Sequence, residues 1–193
     1  MKKKEKKRAG NFYYYLNENG EAVIAGAIEW PEILVIPEEI DGHPVTEIGN
    51  GAFDTDRKLY SDEDSYEESK IEHLWEPLDE EQFWREREAI LSLDHQIKEV
   101  RLPDTIRIIG PCAFYQNFAL GKINFPKGLK FIDGCAFTNT RLFKIRIPHS
   151  CELYHEEGLA VWQEQGAFEG CGGCDPEGYL SPDPAYSVEI EYF

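Results

Sequence analysis

Apolar and polar positions along this chain follow an order that repeats. In IKEVRLPDTIRIIGPCAF (97–114), Val100 and Leu102 alternate with Glu99 and Arg101, a proline follows at 103, and an apolar stretch leads into Ala113-Phe114. The order returns in LGKINFPKGLKFIDGCAF (120–137), with Pro103 to Pro126 and Phe114 to Phe137 both 23 residues apart. LFKIRIPHS (142–150) starts a third copy 22 residues on, and ILVIPEEIDGHPVTEIGNGAF (33–53) is an earlier one. GAF at 166–168 closes the third copy after an enlarged loop, CELYHEEGLAVWQEQ. Period-two alternation predicts short strands with Val100 and Leu102, Ile123 and Phe125, and Ile145 and Ile147 on the core side, each ended by a proline. Phe114 and Phe137 then fill the interior, and the small Ala113 and Ala136 let coils approach. One such unit cannot bury its apolar side alone; stacked copies can, so the pattern predicts a solenoid.

Prolines followed by I-G-x-x-A-F at a period of 22 to 23 resemble the BspA-like leucine-rich repeat family, found mainly in bacteria and some protists. VIPEEIDGHPVTEIGNGAF, with its Asp41-Gly42 and Pro44-Val45 turn, is similar to that family's usual first repeat. The resemblance spans roughly residues 20–53 and 97–171. It implies a leucine-rich repeat solenoid, mainly β, with a parallel sheet on one side and short turns, used to bind proteins or surfaces. No catalytic residues come with it.

The flanking segments read as caps. NFYYYLNENGEAVIAGAI carries two alternating runs joined at Asn19-Gly20, a hairpin signal, and is expected to close the N-terminal end. AYSVEIEYF alternates Val188, Ile190 and Tyr192 against Ser187, Glu189 and Glu191 and is expected to supply a closing strand with a charged edge. The resulting organisation is a basic tail over 1–10 and a single repeat domain over 11–193. That domain includes an N-terminal cap at 11–32 and a C-terminal cap at 172–193.

Between Phe53 and Ile97 about 38 residues are inserted relative to the spacing of the later copies. The insert, 54–96, reads as acidic and helical. LDEEQFWREREAILSL offers Asp79 as an N-cap with Gln82 three residues later and places Phe83, Trp84, Ile90 and Leu91 on one stripe. SYEESKIEHLWEP groups Ile71, Leu74 and Trp75 on a shorter helix stopped by Pro77. Such stripes either pack on the solenoid or form a wall that meets a partner, with Trp75 and Trp84 as its anchors.

Charge narrows the choice of partner. The 193 residues suffice for one domain and carry a net charge of −17, so nucleic acid and anionic membrane surfaces are disfavoured and a basic protein is favoured. The charge is uneven: residues 97–148 carry +6, while 54–96 and 149–193 carry −10 each. The start MKKKEKKRAG is followed by no apolar segment of signal-peptide length, and no run approaches a membrane span, so a cytoplasmic protein with reduced thiols is expected. His43, His73, His95, His149 and His155 show no ligand spacing, and HEEGL lacks the second histidine of a zinc-protease helix. Nucleophile elbows, phosphate loops and dinucleotide turns are likewise missing from the motifs. No cofactor, metal or catalytic activity is therefore expected.

On the strands, the residues between the core positions form ladders across the sheet: Glu99 and Arg101, Lys122 and Asn124, Lys144 and Arg146. In the first copy the equivalents are Ile33 and Val35, which are apolar and need a cover, expected from the inserted helices or the N-terminal hairpin. The ladder reads either as a solvated face, with Glu99 relieving its basic neighbours, or as the partner-binding face. Cys171 and Cys174, in EGCGGCDP, fall on repeat positions three and six residues after Phe168, matching Asn117 and Leu120 after Phe114, so a structural role in the turn is expected for them. Cys112 and Cys135 share the position before Ala-Phe and are expected to be small buried groups one coil apart. The functional expectation is a non-catalytic protein-interaction module binding through the sheet, the insert or both. Two other readings are an immunity protein that neutralises a basic, nuclease-type toxin, and an adhesin-like surface protein, the last requiring an export signal.

Overall fold

We describe the protein from a computed structural model, over residues 5–55, 96–154, 166–168 and 188–193. The chain starts with three antiparallel strands, β1 (Lys7–Ala9), β2 (Phe12–Leu16) and β3 (Ala22–Ala27). Part of the segment read as a basic tail is thus a strand, because Lys7 to Ala9 pair with Tyr14 to Phe12. The β2–β3 turn is built by Asn17: its carbonyl accepts from Gly20 N–H at 3.1 Å, and its side-chain oxygen accepts from the N–H groups of Asn19 and Glu21. Gly20 takes φ 75°, the left-handed value such a turn requires.

The first coil holds β4 (Ile33–Val35), β5 (Glu39–Ile40) and β6 (His43–Ile48). Asp41 and Gly42, both with positive φ, make the tight turn between β5 and β6. The next three coils each contribute two short strands: β7 (Glu99–Arg101) with β8 (Ile108–Ile109), β9 (Lys122–Ile123) with β10 (Phe131–Ile132), and β11 (Lys144–Ile147) with β12 (Glu152–Leu153). A last strand, β13 (Glu189–Tyr192), pairs in parallel with β11.

Parallel pairing therefore runs along two sides of the solenoid and not one. The strands ahead of the prolines give β4-β7-β9, with Ile33 against Glu99 and Glu99 against Lys122. The strands ahead of the Ala-Phe corners give a second parallel run, β3-β6-β8-β10-β12, which the hairpin extends at its N-terminal end. Each strand of this second sheet is only two residues long in the middle coils, too short for alternation to announce it in sequence. β4 lies directly on β7, and Phe53 directly on Phe114, so Ile33 and Glu99, 66 residues apart in sequence, sit on adjacent coils. The helices expected within 54–96 lie outside the described residues; of that segment only the buried Asp54 and Thr55 and, at its other end, Gln96 are described.

The Ala-Phe corners form the spine of the core. Phe53, Phe114, Phe137 and Phe168 stack in one column, with centroids 5.3, 5.3 and 5.2 Å apart and ring planes within 11° of parallel. Beside it, backbone bonds run from coil to coil: Phe53 N–H to Ala113 C=O, Phe114 N–H to Ala136 C=O and Phe137 N–H to Ala167 C=O, each 2.8 Å. Deleting Phe114 or Phe137 removes contacts to both neighbouring coils and is worth about 3–5 kcal/mol. Gly49 and Gly110 permit the close approach of coils, since a Cβ at Gly110 would sit 3.0 Å from the Ile48 carbonyl oxygen and 3.1 Å from Asn50 N.

One expectation about the corners is corrected. Gly51, Cys112 and Cys135, which hold the same repeat position, all adopt left-handed φ, 54°, 51° and 55°. Cys112 and Cys135 are half-buried on this bend and are not the interior groups expected, because the left-handed turn carries the chain around the corner before Ala-Phe points inward. Among the described residues the buried thiol is Cys151, whose pKa is pushed up to about 11 by burial and then by the adjacent Glu152 charge.

Candidate protein-binding face

The outward positions of β4, β7, β9, β11 and β13 form two rows. Strand pairing places Ile33, Glu99 and Lys122 in one row, and pairs Lys144 with Glu189 in its continuation. The second row contains Val35 and Arg101 at one end and Arg146 and Glu191 at the other, with Asn124 at the intervening repeat position. Inward neighbours Leu34, Val100 and Ile145 are buried, so the alternation fixes which side faces water.

Local charges on this face are paired within the chain. Glu99 accepts from Arg101 Nε at 2.7 Å and from Lys122 Nζ at 3.1 Å, and these bonds, Arg101 first, hold its carboxyl below the ordinary range. Lys144 donates to Glu191 at 2.7 Å and to Glu189 at 3.1 Å, with Arg146 at 3.6 Å from Glu191. The Lys144 bond lowers the Glu191 pKa, and Glu191 followed by Glu189 raises that of Lys144. Arg146 also lies over the Phe193 ring, 5.4 Å from its centroid. Asn124 is tied differently: its carboxamide accepts from Leu102 N–H and donates to Leu102 C=O, both at 2.8 Å, and so extends the β7–β9 pairing by one residue.

These contacts change the character of the face. The cations Arg101, Lys122, Lys144 and Arg146 are interleaved with Glu99, Glu189 and Glu191, so it is a mixed-charge surface and not a basic stripe. Glu189 and Glu191 are the residues sequence reasoning missed as members of this face. The alternation in VEIEY marked them as outward, but nothing in the sequence said that this strand lies on β11. At the other end, Ile33 and Val35 are 45% and 54% exposed, an apolar pair with no cover among the described residues. Trp75 and Trp84, the remaining candidates, lie outside the described residues, as do Cys171 and Cys174.

The two described histidines serve local packing: His43 Nδ1 meets the Gly20 carbonyl at 2.8 Å, and His149 stacks on Tyr192. Among the described residues no three His, Cys, Asp or Glu side chains converge as a metal-holding group, and no helix is long and apolar enough to cross a membrane.

A leucine-rich repeat protein from Bacteroides capillosus shares this fold at 18% identity and a TM-score of 0.52, over 96% of this chain and 98% of that one. A leucine-rich repeat protein from Bacteroides ovatus aligns at 20% identity and a TM-score of 0.47, over 96% of this chain, which spans only 37% of that protein. A leucine-rich cell surface protein from Faecalibacterium prausnitzii aligns at 17% identity and 0.49, over 76% of this chain and 38% of its own. Comparison with curated proteins yields no match. The model of the BspA type leucine-rich repeat region, in 6 copies, matches residues 91–160, the segment that contains the two complete coils and the start of the third. Over that region the chain is similar to the BspA-type leucine-rich repeat family.

Proposed function

We propose that this chain is a non-catalytic protein-interaction module that binds a protein partner through the outward rows of β4-β7-β9 and β11-β13. The observation that carries this reading is the register of that face. Parallel pairing holds Glu99, Arg101, Lys122, Lys144 and Arg146 at fixed spacing on short, proline-ended strands, so charged groups are presented by a rigid scaffold beside an exposed apolar pair. Such preorganised charge favours specificity and fast encounter more than raw affinity. The acidic segment 54–96 is a second element through which the same partner is engaged.

A second reading follows from the net charge of −17: the partner is a basic, nuclease-type toxin that the chain neutralises. Both readings are tested by affinity capture from the native cell with wild type and with Arg101→Glu/Arg146→Glu. Loss of the captured protein supports the sheet face, and unchanged capture moves the binding element to 54–96. Capture that collapses between low and moderate salt, with a basic toxin identified in the eluate, supports the second reading.

A further inference from the structure

The two sheets are finished differently at the N-terminal end of the solenoid. In the longer sheet, β6 is covered by β3, β3 by β2 and β2 by β1. In the shorter sheet, β4 pairs with β7 on one side, and no strand pairs with its other side among the described residues. Backbone bonds show which groups face which way. Glu32 C=O accepts from Lys98 and Glu99 N–H, and Ile36 N–H donates to Arg101 C=O, so residues 32, 34 and 36 bond toward β7. A parallel ladder uses alternate residues for one neighbour, which leaves the N–H and C=O groups of Ile33 and Val35 pointing to the open side.

Natural sheets blunt such edges with lysine, proline or a covering element. This one carries exposed isoleucine and valine instead. The sequence on either side of β4 is acidic: residues 28–41 contain Glu29, Glu32, Glu38, Glu39 and Asp41 and no lysine or arginine. Of the nearby cations, Lys98 is bound to Glu32 at 2.6 Å and Arg101 to Glu99. A second copy of this chain would bring the same acids against them.

We infer that the open edge of β4 accepts an extended, basic segment of a partner protein as an added strand, with β-branched residues over Ile33 and Val35 and lysine or arginine facing the acids of 28–41. This deepens the interaction-module reading and rests on it. Main-chain bonds at Ile33 and Val35 supply the pairing, alternate side chains the selectivity, and charge the choice of partner.

The probe is a capped peptide of alternating lysine and valine, Lys-Val-Lys-Val-Lys-Val-Lys, titrated into the full chain, with amide exchange followed by NMR. In the free protein, Ile33 and Val35 should exchange at least tenfold faster than Leu34 and Ile36, and the peptide should slow them by a similar factor. Val35→Pro removes one outward N–H without touching the bonds to β7 and should weaken binding tenfold or more. If that variant does not fold, Ile33→Lys/Val35→Lys, which leaves the backbone intact and repels the peptide, should weaken it likewise. Slow exchange of Ile33 and Val35 in the free monomer would mean that the chain covers its own edge, and would overturn the inference. So would self-association that Val35→Pro abolishes, which would make the occupant a second copy, or peptide binding that leaves both amides unprotected. These outcomes are independent of capture by Arg101 and Arg146, so this edge and the sheet face fail separately.

Discussion

The side-chain amide of Asn117 donates to the carbonyl of Phe53 at 2.6 Å, joining residues 64 apart in sequence across adjacent coils. It reaches the Tyr115 carbonyl as well, at 3.3 Å, and the residue is 5% exposed. Asn117→Ala leaves the Phe53 carbonyl buried without this donor, so it should cost about 1–3 kcal/mol. Urea unfolding monitored by circular dichroism measures this, with an unchanged slope showing that the loss is in stability and not in the extent of the folded region.

The left-handed corner at Cys112 separates backbone effects from side-chain effects. Alanine and glycine both remove the thiol, but only glycine occupies φ 51° without a Cβ penalty. Cys112→Gly should therefore be more stable than Cys112→Ala by about 1 kcal/mol, read as a difference between two thermal or urea transitions. Equal stability of the two variants would show that the corner relaxes away from this conformation.

Docking of β13 on β11 should depend on pH at both extremes. The folded-state pKa of Glu191 is lowered, so its contribution is present above the ordinary glutamate pKa of about 4.3 and is lost as pH falls through the depressed value. That of Lys144 is raised, so its contribution is complete below the ordinary lysine pKa of about 10.4 and is lost as pH rises through the elevated value. The backbone bonds His149 N–H to Phe193 C=O and Phe193 N–H to Ile147 C=O report the docking. Protection of these two amides, corrected for intrinsic exchange, should fall about two- to fivefold at acid pH, and Glu191→Gln should flatten the acid limb.

Cys151 should resist alkylation in the folded protein. With a pKa of about 11 and 7% exposure, only about one molecule in a thousand carries the thiolate at pH 8. Iodoacetamide labelling mapped by peptide mass spectrometry should leave Cys151 unmodified under native conditions and label it fully in urea.

The coil-forming residues were legible because each carries a steric instruction. Pro103, Pro126 and Pro148 end strands, Val100 and Leu102 alternate with Glu99 and Arg101, and Phe114 and Phe137 recur at one period; all three features arise from residue size and backbone restriction and survive in one dimension. The second parallel sheet was not legible, since Ile108–Ile109 and Phe131–Ile132 are too short to show a period. The exposure of Cys112 was misread for a related reason: side-chain polarity suggested burial, while its position on the bend was set by φ.

What the sequence determined by itself is the repeat: its period, its core-facing residues and the outward positions Glu99, Arg101, Lys122, Lys144 and Arg146. Only the tertiary structure decided which strands become neighbours. It set β13 on β11, so that Glu189 and Glu191 neutralise Lys144 and Arg146, and among the described residues it left β4 with an open side at Ile33 and Val35. Periodicity reports the face on which a residue lies, because that follows from local backbone geometry. Charge pairing and exposed edges depend on which distant strand supplies the next hydrogen bonds, and that partner is chosen by packing of the whole chain.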